Sequence, residues 1–500
     1  MTDMHFIKGA TLAGTSGRSQ DVFNPATGAV VGTVPLASTG EVDAAIAAAK
    51  AALPGWANTP PAKRAQVMFK FRDLIIRDLD KLAGQISAQH GKTLDDARGE
   101  VARGLEVVEF ACGIPHLLKG EYSAQVANAV DSYSLRQPVG VVAGITPFNF
   151  PAMVPMWMFP MALACGNTFI LKPSERDPGA PLYLAQLLSE AGLPDGCLNV
   201  VNGDKEAVDA ILDHPDIAAV SFVGSTTIGK YIYSRGCSNG KRVQALCGAK
   251  NHMIIMPDAD MGQAVDAAMG AAYGSAGERC MAVSAVLAVG DDTADRFVEQ
   301  LAPKVRALKI GQFDEPGVEM GPVITKDAKD RIIGYIDQGE SDGAKVVVDG
   351  RNLSLQGYEN GFFVGGTLLD HVTPDMSVYR DEIFGPVLSV LRPQSYDEAV
   401  QLVMSHEYGN GTAIFTRDGD AAREFASTIN IGMVGVNVPI PVPVAYHSFG
   451  GWKASMFGDH SIHGMEGVRF YTKLKTVTAR WPSGIKDGAV FNFHSGSETK

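Results

Sequence analysis

The chain has little of what marks a disulfide-rich, metal-binding or nucleic-acid-binding protein. Its six cysteines are spread over 500 residues, with no Cys-x-x-Cys pair and no Cys/His cluster at metal-ligand spacing. This pattern argues against a disulfide framework or a zinc site and is typical of reduced thiols in a cytoplasmic protein. The formal net charge of −12 argues against a nucleic-acid surface or an anionic membrane as partner.

The chain also lacks a long uninterrupted apolar run. Its most apolar window, residues 151–171, contains three prolines and a Gly-Asn pair, which a membrane helix would tolerate poorly, so we expect buried core there. The first five residues have no basic region followed by an apolar stretch, as a secretory signal would. We therefore expect a soluble protein. Its 500 residues are too many for one core and predict two or three structural parts.

Three helices are predicted between residues 38 and 118. Ser38 and Glu41 have capping-box spacing before an Ala-rich helix that we expect to stop near Pro54-Gly55. Pro60-Pro61 is predicted to open a second helix, whose apolar positions at helical spacing are Val67, Phe71, Leu74, Ile75 and Leu82. Thr93 is predicted to start a third helix, which runs through Arg103 towards Phe110.

From residue 139 onwards, short apolar runs alternate with amphipathic helices. The predicted strands are 139–145, 168–171, 198–201, 218–223 and 242–246, and helices are predicted at 205–212 and 227–234. This βαβ alternation predicts a parallel, doubly wound α/β sheet. Ligands bind such sheets beyond the carboxyl ends of the strands, at helix N-termini.

A second alternating region begins near Asn251. It is predicted to carry Cys280 at the end of a helix, followed by a strand at 282–289 and a helix at 294–308. Two distant segments, 131–137 and 471–481, alternate polar and apolar residues. We expect them to pair as an arm whose exposed edge meets another subunit.

Cys280 is the candidate nucleophile. It ends the tetrapeptide Gly277-Glu278-Arg279-Cys280, which follows a run of small residues at 271–277. Small residues let a ligand approach the thiol, and we expect the adjacent Arg279 to favour the reactive thiolate. The alternative is a buried, inert cysteine.

Three further motifs follow predicted strands. Residues 222–229, Phe-Val-Gly-Ser-Thr-Thr-Ile-Gly, open a helix whose free N–H groups suit a phosphate, although a generic strand-to-helix turn reads the same way. Lys172 and Glu175 could bind ribose or phosphate oxygens, or form a solvated ion pair. In Thr146-Pro147-Phe148-Asn149-Phe150-Pro151 two prolines stiffen a loop, so the Asn149 amide is either a preorganised oxyanion donor or part of a plain turn.

These motifs, together with Glu382-Ile383-Phe384-Gly385-Pro386, occur in an order that resembles the aldehyde dehydrogenase superfamily. The resemblance implies an α/β aldehyde dehydrogenase fold in three parts. A Rossmann-like NAD-binding domain would comprise residues 1–122 and 142–247, and an α/β catalytic domain residues 248–455. A small β oligomerisation ribbon would comprise residues 123–141 and 456–483, followed by a tail at 484–500.

The resemblance also implies roles for individual residues. Cys280 would be the nucleophile, and the Asn149 amide with the Cys280 backbone N–H would form the oxyanion hole. The cofactor would be bound by the residues Thr146, Phe148, Lys172, Glu175, Arg176, Ser225, Glu382 and Phe384. Among these, Lys172 and Glu175 would hold the adenosine ribose, and a carboxylate there favours NAD over NADP, whose extra phosphate it would repel. No metal is expected.

One segment departs from the superfamily pattern. Most members hydrolyse their thioacyl intermediate with the glutamate of a Glu-Leu-Gly-Gly-Lys motif, but this chain has Leu246 at that position, before Cys247-Gly248-Ala249-Lys250-Asn251-His252. Leucine cannot take a proton from water, whereas a thiol acceptor needs little activation. This pattern is similar to the CoA-acylating methylmalonate-semialdehyde dehydrogenases and to their relatives that act on malonate semialdehyde.

That resemblance implies NAD as cofactor, CoA as co-substrate and a short 3-oxo acid as substrate, with Arg103 and Arg279 clamping the substrate carboxylate. Propionyl-CoA or acetyl-CoA would be the product, and a homotetramer, a dimer of dimers, the assembly. Two alternatives remain at this point. In the first, another carboxylate such as Glu278 activates water and the product is a free acid. In the second, the chain is a non-catalytic protein that keeps the fold.

Overall fold

The computed structural model describes residues 4–482. The elements of its N-terminal part are β1 (His5–Ile7), β2 (Ala10–Leu12), β3 (Ser19–Asn24), β4 (Ala29–Pro35), α1 (Thr39–Ala57), α2 (Pro61–Arg77), α3 (Leu79–His90), α4 (Leu94–Cys112), α5 (Ile114–Leu117), β5 (Tyr122–Ala127) and β6 (Val130–Pro138). The next stretch contains β7 (Val141–Ile145), α6 (Met153–Ala164), β8 (Thr168–Lys172), α7 (Gly179–Glu190), β9 (Leu198–Val200), α8 (Lys205–Asp213), β10 (Ile217–Val223), α9 (Thr226–Ser238) and β11 (Arg242–Leu246).

The C-terminal half continues the alternation of strands and helices. Its elements are β12 (Asn251–Ile255), α10 (Met261–Tyr273), β13 (Val283–Ala288), α11 (Asp291–Arg306), α12 (Lys326–Ser341), β14 (Lys345–Val348), β15 (Thr367–Asp370), α13 (Ser377–Arg380), β16 (Val387–Leu391), α14 (Tyr396–Ser405), β17 (Tyr408–Gly409), β18 (Gly411–Phe415), α15 (Gly419–Thr428), β19 (Met433–Val436), β20 (Trp452–Lys453), β21 (Met456–Phe457), α16 (Gly464–Phe470) and β22 (Thr472–Arg480).

The predicted starts of the first helices are confirmed, but two predicted details are wrong. Ser38 and Glu41 form the capping box of α1, which nevertheless continues through Pro54 to Ala57. The buried Trp56 indole donates to the Leu163 carbonyl oxygen at 2.9 Å and anchors that last turn, so the single hydrogen bond lost at an exposed proline does not end the helix. Leu82 lies in α3 rather than α2, because the backbone leaves the helical conformation at Asp78 (φ −108°, ψ 20°).

The first sheet has eight strands in the order β2-β1-β9-β8-β7-β10-β11-β21. The five strands from β9 to β11 pair in parallel, as the βαβ alternation predicts. The chain moves from β7 to one side through β8 and β9, and then to the other side through β10 and β11. The loops after β7 and β10 therefore flank a topological switch point, where open α/β sheets bind ligands.

The second sheet has seven strands in the order β14-β15-β16-β13-β12-β18-β19. All neighbours pair in parallel except β14, which runs antiparallel to β15 at the edge. Each large sheet is covered by helices and has its own apolar core. The chain crosses from the first sheet to the second between Leu246 and Asn251.

The predicted pairing of the two distant ribbon segments is confirmed. β6 and β22 pair antiparallel from Pro138↔Thr472 to Val130↔Arg480, and β5 adds a third strand on the other side of β6. Residues before β22 lie against the first sheet: β21 pairs with β11, and α16 packs on α6. The division of the chain into three functional parts stays a prediction, and the predicted tail at 484–500 lies outside the described residues.

The apolar window at 151–171 forms core, as predicted. All twelve residues of α6 are buried, and β8 is buried along its whole length. Between residues 4 and 482, none of the helices combines the length and the apolar character needed to span a bilayer.

Candidate active site

A turn with unusual backbone angles carries Cys280. Ser275 and Ala276 both have φ of 52°, and Gly277 has φ of 71°. A Cβ atom on Gly277 would lie 2.2 Å from the carbonyl oxygen of Gly385, so only glycine allows this close approach. The expected placement of Cys280 at the end of a helix is wrong, because α10 ends at Tyr273 and this turn follows it.

Two asparagine side chains hold the backbone of Cys280. Nδ2 of Asn251 donates to the Cys280 carbonyl oxygen at 2.9 Å, and Nδ2 of Asn410 donates to the same oxygen at 3.0 Å. The neighbouring Lys250 donates to the carbonyl oxygens of Val378 and Asp381, and so fixes the segment that leads to Glu382. The motif at 248–252 therefore positions the reactive groups, a role that sequence reasoning missed because it treated these residues only as a family marker.

The environment of the Cys280 thiol differs from the expected one. Burial raises its pKa to about 12, the nearby Glu382 carboxylate raises it as well, and Arg279 lowers it only weakly. Arg279 does favour the thiolate, as expected, but its effect on the pKa is smaller than that of burial. Desolvation outweighs one partly solvated guanidinium, so the thiol is protonated at neutral pH.

Asn149 meets the nucleophile turn from the loop after β7. Its side-chain Nδ2 donates to the carbonyl oxygen of Glu278 at 3.1 Å, and Asn149 itself is buried. An amide nitrogen carries two hydrogens, so the second one is available for an oxyanion. The structure thus places the predicted oxyanion donor in contact with Glu278, which precedes Cys280 by two residues.

Glu278 faces away from the substrate side. Its carboxylate is fully buried, accepts from the Ile324 N–H at 3.3 Å and lies 3.9 Å from His90 Nε2. Burial raises its pKa to about 8. Glu278 does not line the cavity in front of Cys280, so the alternative in which it activates water for a free-acid product has no support here.

Cys280 opens onto a cavity of about 430 Å³ between α4, α6 and residues 440–449. Its wall is partly aromatic, with Phe150, Trp157 and Phe449. Arg103 and Arg279 line the same cavity. The structure therefore brings both predicted carboxylate-binding arginines and the predicted nucleophile into one space.

Each arginine is held by a carboxylate of α4. Nη1 of Arg103 contacts Glu106 at 3.0 Å, and Nη2 donates to the Pro443 carbonyl oxygen at 2.8 Å. Arg279 pairs with Asp96, whose other oxygen accepts from the Ser275 N–H at 3.1 Å. Sequence reasoning missed Asp96, since nothing local connects it to a residue 183 positions away.

The predicted ribose-binding residues lie at the carboxyl end of β8. Nζ of Lys172 lies 2.9 Å from Oε2 of Glu175, and Lys172 is buried. Burial alone would raise the pKa of Glu175, but the charge and hydrogen bond of Lys172 lower it below its ordinary value. The carboxylate is thus ionised and can accept from hydroxyl groups. Ser225 is the exposed N-cap of α9, next to β10, and makes no side-chain cap hydrogen bond.

Glu382, also predicted to bind the cofactor, lies beside the segment that joins the two sheets. Glu382 accepts from the Ala249 N–H at 3.0 Å, and burial raises its pKa to about 7. The Phe384 ring packs edge-on against Phe148 at 5.9 Å, and Arg176 lies over the Phe148 ring at 5.1 Å. Thr146 is buried, and its N–H donates to the Lys172 carbonyl oxygen at 3.1 Å.

Leu246 is buried at the end of β11 and belongs to the apolar cluster against which Cys280 packs. Gly248, two residues later, approaches Glu382 so closely that a Cβ atom would lie 2.8 Å from Oε2. The position at which most superfamily members carry a general base is therefore apolar in this protein.

The chain was compared with known proteins. The model of the aldehyde dehydrogenase family matches residues 12–477. The malonate-semialdehyde dehydrogenase of Pseudomonas aeruginosa is 59% identical over 482 residues, which cover 96% of this chain and 97% of that protein. The human mitochondrial methylmalonate-semialdehyde/malonate-semialdehyde dehydrogenase [acylating] is 50% identical, over 95% of this chain and 89% of that protein.

A solved structure is also similar over nearly the whole chain. A Sinorhizobium meliloti protein, solved in complex with NAD, superposes with a TM-score of 0.96 at 62% identity, over 97% of this chain and 99% of that one. The family match, the ordered motifs and the shared fold lead to one conclusion: the chain belongs to the aldehyde dehydrogenase family.

Proposed function

We propose that the protein is an NAD-dependent, CoA-acylating dehydrogenase of methylmalonate semialdehyde and malonate semialdehyde, which forms propionyl-CoA and acetyl-CoA. The observation that carries the proposal is the cavity that Cys280 lines together with Arg103 and Arg279. Two cations next to a nucleophile select a small aldehyde that bears its own carboxylate. Relatives named for this reaction, at 50% and 59% identity, support the same substrates.

The residues at the switch point fit NAD. The ionised Glu175 beside Lys172 suits a ribose diol, the exposed N-terminus of α9 at Ser225 suits a pyrophosphate, and Glu382 suits a second ribose. Glu175 would repel the extra phosphate of NADP. The chemistry that NAD supplies when bound is acceptance of the aldehyde hydride.

The mechanism follows from the chain's own groups. The Cys280 sulfur loses its proton and adds to the aldehyde carbon. The free hydrogen of the Asn149 amide and the Cys280 backbone N–H stabilise the oxyanion that forms. Arg103 and Arg279 hold the substrate carboxylate and so fix the orientation of the carbonyl group. Hydride departure leaves a thioester on Cys280.

The thioester then loses the β-carboxylate as CO2, which water can hydrate to bicarbonate, and the thioester carbonyl accepts the electron pair of the broken C–C bond. The resulting enolate gains a proton from solvent at its α-carbon, which gives the propionyl or acetyl thioester. The CoA thiol attacks the acyl carbon and releases Cys280. Leu246 cannot deprotonate water, and the Glu278 carboxyl faces Ile324 and His90, so neither residue supplies the base that hydrolysis would need.

A steady-state assay with purified protein tests the proposal. Malonate semialdehyde and NAD without CoA should give about one NADH per Cys280 followed by slow turnover, and CoA should restore turnover with acetyl-CoA as product. Full turnover without CoA, with a free acid as product, would contradict the proposal and favour the hydrolytic alternative.

For the assembly we infer a cytoplasmic homotetramer built as a dimer of dimers. The ribbon sheet leaves β22 and β5 at its two edges. Leu474 on β22 is 62% exposed, Trp481 just after β22 is 54% exposed, and Tyr122 on β5 is 62% exposed. Exposed apolar side chains on an open edge favour burial against another subunit. Sedimentation velocity measures the assembly directly, and a monomer at micromolar concentration would contradict this inference.

A further inference from the structure

A buried ion pair at the wall of the active-site cavity is not used by the mechanism above. Nζ of Lys92 lies 2.8 Å from Oε2 of Glu100, and both side chains are 0% exposed. Lys92 follows the end of α3, and Glu100 lies on α4. Buried ion pairs contribute little to stability, because the cost of desolvating the charges offsets their attraction. The contacts of this pair indicate a different role.

The contacts of the pair converge on the loop that carries Asn149. Nζ of Lys92 donates to the Asn149 carbonyl oxygen at 2.6 Å. Oε1 of Glu100 accepts from the N–H groups of Ala152 and Met153, at 2.7 and 3.1 Å. These two N–H groups open α6, where a carboxylate is favoured by the free donors and by the helix dipole. The pair therefore holds the loop at Asn149 and again three residues later.

We infer that Lys92 and Glu100 are positioning residues that set the direction of the Asn149 amide towards the oxyanion. The inference rests on the proposed roles of Asn149 and Cys280. The loop between β7 and α6 is bonded to β8 at Thr146, whereas at Asn149 its backbone carbonyl oxygen is held by Lys92. The Asn149 amide must point into the cavity as well as to Glu278. A displacement of about 1 Å at such a donor costs on the order of 10²-fold in rate.

The most informative variant is the double substitution Lys92→Met with Glu100→Gln. It removes both buried charges at nearly constant volume, and the Gln oxygen can still accept from Ala152 and Met153. Lys92→Met alone would leave an unpaired buried carboxylate and destabilise the fold. Glu100→Gln alone also leaves a buried charge, the Lys92 ammonium, without its partner, but it keeps the Lys92 bond to the Asn149 carbonyl oxygen. It is the second variant, should the double variant not fold, and its thermal unfolding is measured alongside its activity.

The readout is the pre-steady-state formation of NADH from malonate semialdehyde without CoA, in the full-length enzyme. We expect the double variant to form NADH about 10²-fold more slowly, and Glu100→Gln about tenfold more slowly. Alkylation of Cys280 by iodoacetamide develops no oxyanion, so its rate should stay within about twofold. Introduced into Asn149→Ala, the double substitution should have no further effect on NADH formation, since residues that act through one group are not additive.

A buried lysine elsewhere provides the control. Lys241 donates to the carbonyl oxygens of His214 and Ile217, far from the Asn149 loop, so Lys241→Met should lower stability without slowing NADH formation. Unchanged NADH formation in a folded double variant would overturn the inference. So would an equal loss of alkylation and NADH formation, or a further loss on top of Asn149→Ala. NADH formation precedes the acceptor step, so this test stands even if CoA proves not to be the acceptor.

Discussion

Replacing Arg103 by methionine should separate substrates that bear a carboxylate from those that do not. Arg103 lines the cavity of Cys280, and its side chain is one-third exposed. Methionine keeps the apolar stem against the cavity wall but removes the guanidinium. The proposed reaction therefore loses one of its two cationic contacts to the substrate, while the thiol and the oxyanion donor stay in place.

The expected loss of kcat/KM follows from the hydrogen bond between Arg103 and the substrate carboxylate. A hydrogen bond between ionised partners contributes about 1.5–3 kcal/mol, and about 2 kcal/mol corresponds to roughly 30-fold in kcat/KM. The fold should persist, because the half-exposed pair with Glu106 contributes at most about 1 kcal/mol. Val442 and Pro443, whose carbonyl oxygens accept from Arg103, are partly exposed residues, so water can replace the lost donor.

The assay compares kcat/KM for malonate semialdehyde and for propanal, which has the same chain length but no carboxylate. We expect roughly a 30-fold loss for the first and less than threefold for the second. Arg98→Met is the matched control: Arg98 lies on the same helix and pairs with Asp80 at 2.8 Å, and it does not line the cavity. An equal loss of kcat/KM for the two aldehydes, or no loss for either, would refute the proposed contact between Arg103 and the substrate carboxylate.

Three further predictions concern the thiol and its surroundings. Cys280→Ala should abolish turnover while NAD still binds with an affinity close to that of the parent, as measured by titration calorimetry; residual turnover would exclude the nucleophile role. Because burial raises the pKa of Cys280 to about 12, only the small thiolate fraction reacts with iodoacetamide. The rate of alkylation in the absence of NAD should therefore rise about tenfold per pH unit from pH 7 to 9. A plateau within this range would show that the thiol ionises far more readily. Leu246→Glu places a carboxylate where most superfamily members have their general base, so CoA-independent NADH turnover should increase, most clearly above pH 8, where a buried carboxyl group ionises. The same CoA dependence as in the parent would mean that the absence of a base at 246 does not control the acceptor.

The order of the elements could be predicted from the sequence because helix and strand patterns are local. The capping box at Ser38, the cap at Thr93 and the parallel strands from β7 to β11 all follow from residues within one short window. The helix boundaries that the sequence predicted wrongly depend on contacts between distant parts of the chain. Helix α1 passes Pro54 because Trp56 bonds to Leu163, and no pattern within α1 indicates that partner.

In the candidate site, too, local sequence predicts some features and contacts between distant residues set the others. Residue types predict Cys280 and Asn149 as candidates, and the family resemblance adds the two arginines, but the protonation state of the thiol depends on burial by residues from the whole chain. A neighbouring arginine suggested a lowered pKa, and desolvation has the opposite and larger effect. Likewise, nothing near Lys92 in the sequence indicates that it donates to the Asn149 carbonyl oxygen, 57 residues away.

The fold class, the candidate nucleophile among six cysteines and the lack of a carboxylate at position 246 follow from the sequence alone, because they depend on residue type and local order. Only the tertiary structure decided which carboxylates hold Arg103 and Arg279, where Glu278 points, and how strongly the Cys280 thiol keeps its proton. Those features depend on distance and desolvation between residues far apart in the chain, and both exist only once the two sheets have packed around the site.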